Sequence, residues 1–312
     1  MKVQPLKLGE VLVKNNVFLA PMAGYTDYSI RKLQLNMGIG LAFTELVSAK
    51  GLYYGAEGSK ELLYSKGNEK QTAVQIFGSD PYFMRWACES EYLKPFDVVD
   101  INMGCPVPKV FRNGEGSALL TDAKKAESIV KECVKSGKVI TVKIRTGQVQ
   151  GDDIATEYAL MAENSGAKLI TIHGRVREVY YSGEPDFKAI EKAKKSVKIP
   201  VIANGGIFSE EDADKMMEKT GADGVMLARG AIADPFLSAK LTDTKTDISL
   251  KNYIIEHLTL MAERLGDIKT AMEFKKFVPY YFKGMVGFKD VKLKIYQATN
   301  IKQIIEIIEQ YL

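Results

Sequence analysis

The chain has 312 residues, 43 Lys and Arg against 39 Asp and Glu, a net charge of +4 and 46% hydrophobic residues. Such a balance describes an ordinary globular enzyme rather than a disordered or fibrous chain, and no run of about 18 apolar residues offers a membrane span. Three scattered cysteines, Cys88, Cys105 and Cys133, form no C-x-x-C pair and argue against a disulfide framework or a zinc site. With only His173 and His257 to add, no metal is expected. Residues 1–10 carry charges and a proline instead of a long apolar stretch, so no signal peptide is expected and the expected location is the cytoplasm. The mild positive charge is compatible with a nucleic-acid partner but does not select one.

In chain order, short apolar runs alternate with segments of helical spacing as far as about residue 240. The runs cover 17–20, 40–44, 73–77, 98–102, 140–144, 169–172, 200–203 and 224–227. Helical segments lie between them, for example 121–136, 153–165 and 209–219, with Thr121, Asp152 and Ser209 as N-cap residues. Ser209 with Asp212 three residues on makes a capping-box pattern. Strand–helix alternation predicts parallel strands with crossover helices. Eight such units, with no G-x-G-x-x-G loop after the first, predict a (β/α)8 TIM barrel over residues 1–244. Strand signals then stop, a polar stretch follows at 241–249, and helices are expected over 250–265, 270–283 and 300–312. Residues 245–312 are therefore expected to form a small C-terminal helical domain.

Barrel chemistry sits at the C-terminal strand ends and in the loops that follow them. Those ends carry Pro21-Met22-Ala23, Gln75, Asn102 and Cys105, Lys143 and Arg145, His173, Asn204-Gly205-Gly206, and Ala228-Arg229-Gly230. Glycines after the last two strands let backbone N–H groups approach an anion, and a helix N-terminus behind them favours negative charge. Gly205-Gly206 alone could equally be a tight turn, but Arg229-Gly230 at the matching place in the next unit favours a phosphate site. Lys143 and His173 end neighbouring strands, where a cation and a donor suit the polar edge of a flavin and negative charge on its reduced ring. Gln75 could serve the same ring or be a satisfied polar residue of the barrel core. Cys105 lies in Asn-Met-Gly-Cys-Pro-Val-Pro, a restricted loop followed by a glycine-rich stretch. Long loops at a barrel mouth tend to be functional, although a free cysteine is more often a packing residue. The thiol could donate a proton, attack as a nucleophile or bind a metal, the last being least supported.

Taken together, Leu19-Ala20-Pro21-Met22-Ala23-Gly24-Tyr25-Thr26-Asp27, Gln75-Ile76-Phe77-Gly78, Asp100-Ile101-Asn102-Met103-Gly104-Cys105-Pro106, Val142-Lys143-Ile144-Arg145, Ile172-His173-Gly174-Arg175 and Asn204-Gly205-Gly206 resemble the tRNA-dihydrouridine synthase family, the bacterial B-type branch in particular. The resemblance implies FMN, with Pro21, Met22 and Ala23 against the ring and Gln75, Lys143 and His173 at its polar atoms. Asn204, Gly205, Gly206, Ala228 and Arg229 would hold its phosphate side. It implies NADPH as reductant, hydride transfer from the flavin to C6 of a uracil, and a proton from Cys105 to C5. Asn102, Arg145 and Tyr180 are then expected at the substrate, and tRNA as the partner of the helical tail. That tail interleaves lysines, including Lys275 and Lys276, with aromatic residues. Read as a pattern alone, the same lysines make an ordinary solvated helix face. The chain departs from the B-type pattern in reading Lys275-Lys276-Phe277 where Arg-Lys-His is usual, Gly206 where Asp is common and Ala228 where Gly is common. A small-molecule flavin barrel of the dihydroorotate or ene-reductase type is the main alternative, and a non-catalytic RNA binder the second. No protein partner is expected, and a monomer is.

Overall fold

Eight parallel strands close into a barrel in the computed structural model, which describes residues 1–66 and 71–312. The barrel strands are β3 (Val17–Leu19), β4 (Leu41–Ser48), β5 (Thr72–Phe77), β6 (Val98–Met103), β7 (Val139–Arg145), β8 (Ile170–His173), β9 (Val201–Asn204) and β10 (Gly224–Leu227), with β10 pairing both β9 and β3. Ahead of them, β1 (Leu6–Leu8) and β2 (Val11–Val13) form an antiparallel hairpin. Leu6, Leu8 and Val13 of the hairpin pack with the inward residues Phe18, Leu41, Phe43, Ala73, Val98, Leu169, Ile202 and Met226. The hairpin thereby plugs the end of the barrel opposite the strand C-termini. The sequence pattern predicts no strands there, because each is only three residues long.

Alternation along each strand divides two cores. Val99, Ile101 and Met103 of β6, like Ile140, Val142 and Ile144 of β7, pack outward against the helices. The residues between them, Asp100 and Asn102 on β6 and Thr141 and Lys143 on β7, face the barrel axis. In-register pairing sets Gln75 beside Asp100, Asn102 beside Lys143, and Arg145 and Asn204 beside His173. Polar side chains thus collect in one layer at the C-terminal end. Strand β4 runs four residues further than its apolar pattern predicts, because its register against β5 shifts between Phe43 and Leu46.

Two caps differ from expectation. Asp122, not Thr121, caps the helix Ala123–Val134 by accepting from Lys125 N at 3.0 Å, while Thr121 ends a preceding 3-10 turn. Asp152 does not cap the next helix, Ala155–Asn164; its carboxylate accepts from Gln148 N and Val149 N and closes the loop before it. Ser209 and Asp212 form the expected capping box.

The tail comprises the helices Leu250–Leu265, Asp267–Phe274, Val278–Tyr281, Phe288–Gln297 and Ile301–Tyr311. The single helix expected over 270–283 is broken, with Phe274 ending one helix and Pro279 inside the short next one. Phe288–Gln297 was not expected. The tail is fastened to the barrel through Gln34, whose Nε2 donates to Tyr253 Oη at 3.0 Å, and through the Arg264–Asp27 ion pair at 3.1 Å. Among the described residues, no helix is long and apolar enough to cross a membrane.

Candidate active site

The C-terminal strand ends enclose a cavity of about 590 Å³. Pro21, Met22, Ala23, Gln75, Asn102, Cys105, Lys143, Arg145, His173, Asn204, Gly205, Gly206, Ala228 and Arg229 all line it. Tyr180, Lys275 and Lys276 do not. Tyr180 is exposed, with a left-handed φ of +51°, and its carbonyl accepts from Arg145 Nη1 at 2.8 Å. That turn sends the next residue, Tyr181, into the wall instead. Lys275 donates to the Tyr296 carbonyl, and Lys276 pairs with Glu273 at 2.7 Å on the tail surface.

Lining residues absent from the sequence-based site include Tyr25, Arg175, Tyr181 and Tyr280. Tyr25 and Arg175 stand inside the motifs already noted, so their signal was present. Two adjacent tyrosines give no pattern that tells which one faces inward. Nothing local ties Tyr280, a tail residue, to the mouth; it gets there by packing edge-on against Tyr25, with ring centroids 5.8 Å apart.

One wall is apolar (Ala20, Pro21, Met22, Met226), and facing it are basic and amide side chains. Lys143, Arg145, His173, Arg175 and Arg229 all face the cavity, and none of the described residues lining it is Asp or Glu. The crowding registers in their protonation. Burial, then Arg145, pushes the Lys143 amine down to about 7, against the pull of Asp100. Burial and the four surrounding cations hold His173 well below its usual range, so it is neutral at pH 7 and acts as a hydrogen-bonding ring. Lys143 Nζ donates to Asn204 Oδ1 at 3.0 Å. Tyr181 stacks near His173 and carries the Arg229 guanidinium 4.8 Å from its ring centre. At Gly205 the backbone has a φ of +120°, and a Cβ there would meet His173 Cδ2 at 2.9 Å. Only glycine allows that close approach.

These features fit a flavin mononucleotide: an apolar face for a flat ring, amides and basic groups for its polar edge, and a glycine turn among cations for a phosphate.

Cys105 is held by its backbone. Its N–H donates to Asn102 Oδ1 at 2.9 Å, and its carbonyl accepts from Ser117 N at 3.1 Å and Ser117 Oγ at 2.8 Å. Burial raises the thiol above its ordinary range, only partly offset by the Val107 N–H and the Arg145 charge. At neutral pH the group therefore keeps its proton, which suits an acid better than a nucleophile.

Fold and site together define an oxidoreductase built on a barrel. Its solved structural neighbours share that fold. They include a 2-naphthoyl-CoA reductase in complex with 2-naphthoyl-CoA (TM-score 0.62, 14% identity, 78% of this chain and 52% of that one) and a variant of NCR from Zymomonas mobilis (TM-score 0.56, 14% identity, 81% and 96%). The family model described as dihydrouridine synthase (Dus) matches residues 18–307, and the chain belongs to that family. It is thereby a flavin-dependent oxidoreductase. Over 290 residues it is 36% identical to tRNA-dihydrouridine synthase B of Pasteurella multocida, covering 90% of this chain and 87% of the relative. Over 318 residues it is 32% identical to a probable tRNA-dihydrouridine synthase 1 of Synechocystis, covering 98% and 89%.

Proposed function

We propose that this chain reduces the C5–C6 bond of specific uridines in tRNA, using FMN and NADPH, with Cys105 as the acid. The observation that carries the reading is a half-buried thiol, raised above its ordinary range, in the wall of a cavity that joins an apolar face to a cluster of basic and amide groups. The relatives named as tRNA-dihydrouridine synthases support the choice of substrate.

Pro21, Met22 and Ala23 would pack against the ring, with Gln75, Lys143 and His173 at its polar edge. Asn204, Gly205, Gly206, Ala228 and Arg229 would receive the phosphate. When bound, and reduced by NADPH, FMN supplies a hydride for C6 of the uracil. The proton that completes the reduction goes to C5 from the Cys105 thiol, which recovers it from solvent. Asn102 faces the uracil beside that thiol. Arg145 holds the loops around it, donating through Nε to Gly104 O at 2.9 Å and through Nη1 to Val176 O at 3.1 Å. Tyr180 stands on the rim. The uridine must leave its stack to enter the cavity. Residues 245–312 form the tRNA-binding part, with Lys275 and Lys276 meeting phosphates. The protein acts as a monomer in the cytoplasm.

The test is NADPH oxidation with and without unmodified tRNA, on parent and Cys105→Ala protein of equal flavin content. The proposal expects tRNA to accelerate oxidation in the parent and to have little effect on the variant. Acceleration by cyclic enones but not by tRNA would overturn the substrate choice.

A further inference from the structure

Beneath the cavity floor lies an acid that lines no part of it. Asp100 is fully buried, on the inward face of β6. Its Oδ1 accepts from Thr141 Oγ1 at 2.6 Å, and its Oδ2 accepts from Gln75 Nε2 at 2.7 Å. Gln75 Oε1 accepts from Asn102 Nδ2 at 2.8 Å. Asn102 Oδ1 then accepts two backbone N–H groups, from Gly104 at 3.1 Å and from Cys105 at 2.9 Å. These bonds form one series from the barrel interior to the loop that carries the thiol. Gln75 and Asn102 are nearly as buried as Asp100, at 1% and 8% exposure, so water offers little substitute.

The direction of this series is not set by the amides themselves. A carboxamide turned over keeps its shape and exchanges donor for acceptor. The two ends decide. Backbone N–H groups at the loop only donate, so Asn102 must present its oxygen to them. That leaves the Asn102 amide nitrogen for Gln75, which must answer with oxygen and turn its own nitrogen inward. The inward partner must therefore accept. Burial pushes Asp100 up to about 6, so at neutral pH it is mainly a carboxylate, which only accepts.

We propose that Asp100 is a positioning residue for the proton-donating thiol: its carboxylate fixes the facing of Gln75 and Asn102 in series and so holds the Gly104–Cys105 backbone in place. The inference deepens the acid role proposed for Cys105 and rests on it for its effect on turnover. Its effect on the loop stands apart from any substrate.

Asp100→Leu is the informative change, since it is close in size and removes both acceptor oxygens, whereas an asparagine could still turn its oxygen to Gln75. Two readouts are made on the flavin-loaded protein. One is alkylation of Cys105 by iodoacetamide, followed by peptide mass spectrometry to distinguish it from the buried Cys88 and Cys133. The other is steady-state turnover on tRNA. A loop freed from Asn102 exposes the thiol, so alkylation should rise about fivefold or more. Turnover should fall about tenfold in kcat, with KM for tRNA within about twofold, each buried hydrogen bond being worth about a decade in rate. Thr141→Val removes a bond to the same carboxylate without releasing the amides, and should leave alkylation within about twofold. If Asp100→Leu does not fold, Gln75→Met cuts the series at its middle and should raise alkylation equally. Unchanged alkylation in Asp100→Leu, or in Gln75→Met where that variant carries the test, overturns the proposal. So does an equal rise in Thr141→Val, which would mark general loosening of the barrel. A rise in alkylation with no uridine reduced even by the parent supports the positioning role and overturns the substrate reading instead.

Discussion

Gly205→Ala tests whether the turn after β9 is built for close approach of the backbone to the cation cluster. The backbone at Gly205 has a φ of +120°, which an alanine adopts only under strain of about 1–3 kcal/mol. The new Cβ would also meet His173 Cδ2 at 2.9 Å and Arg175 Nη1 at 3.1 Å. Neither group moves freely. His173 is buried in the strand end, and Arg175 Nε is bonded to the carbonyls of Ser182 and Gly183 at 3.1 and 3.2 Å. Overpacking of this kind adds about 1–3 kcal/mol. A total of about 2–6 kcal/mol corresponds to a fall in Tm of roughly 4–24 °C at about 2–4 °C per kcal/mol. Thermal unfolding followed by circular dichroism, with the flavin removed, measures this directly. FMN titration by fluorescence quenching should show affinity weakened in parallel. Gly221→Ala is the control, because φ there is +61° and nothing lies within 4 Å of the added Cβ. It carries backbone strain alone, about 1 kcal/mol. If Gly205→Ala unfolds no earlier than Gly221→Ala, the contact argument is wrong.

The Cys105-dependent part of turnover should fall only above the ordinary thiol range, because burial raises the thiol and the protonated form is the donor; a rate that climbs as the thiol ionises would mark a nucleophile. Asp27→Ala removes the cap on Ser29 N and Ile30 N together with the Arg264 pair, and should cost about 1–3 kcal/mol in urea unfolding. Lys276→Ala should change stability by less than about 0.5 kcal/mol, its bond to Glu273 being a surface pair. On the proposed reading it should weaken tRNA binding and reduce the salt dependence by about one ion; an unchanged salt slope would remove Lys276 from the interface.

The barrel was legible because each strand is a short apolar run between capped helices, and inside the barrel those runs tolerate few polar residues except at their ends. The same rule exposed the mouth: Gln75, Asn102, Lys143, His173 and Asn204 are polar intrusions at strand ends, and the cavity gathers all of them. What escaped depends on geometry that no local pattern encodes. Whether Tyr180 or Tyr181 faces inward turns on a single left-handed residue. Tyr280 reaches the mouth through tertiary packing of the tail on Tyr25. The hairpin over Leu6–Leu8 and Val11–Val13 is too short for periodicity to register, and the extra reach of β4 comes from a register shift. Asp100 looked like one more residue of the Cys105 motif, and only the register of β5, β6 and β7 reveals it as the anchor of a series.

The most direct test of the central claim is the mass of the product. Unmodified tRNA incubated with NADPH and the flavin-loaded protein, then digested to nucleosides, should contain uridines that have gained two hydrogens, and the Cys105→Ala protein should yield far fewer. NADPH consumed with every uridine unchanged would contradict the account and leave a flavin barrel whose substrate is a small molecule.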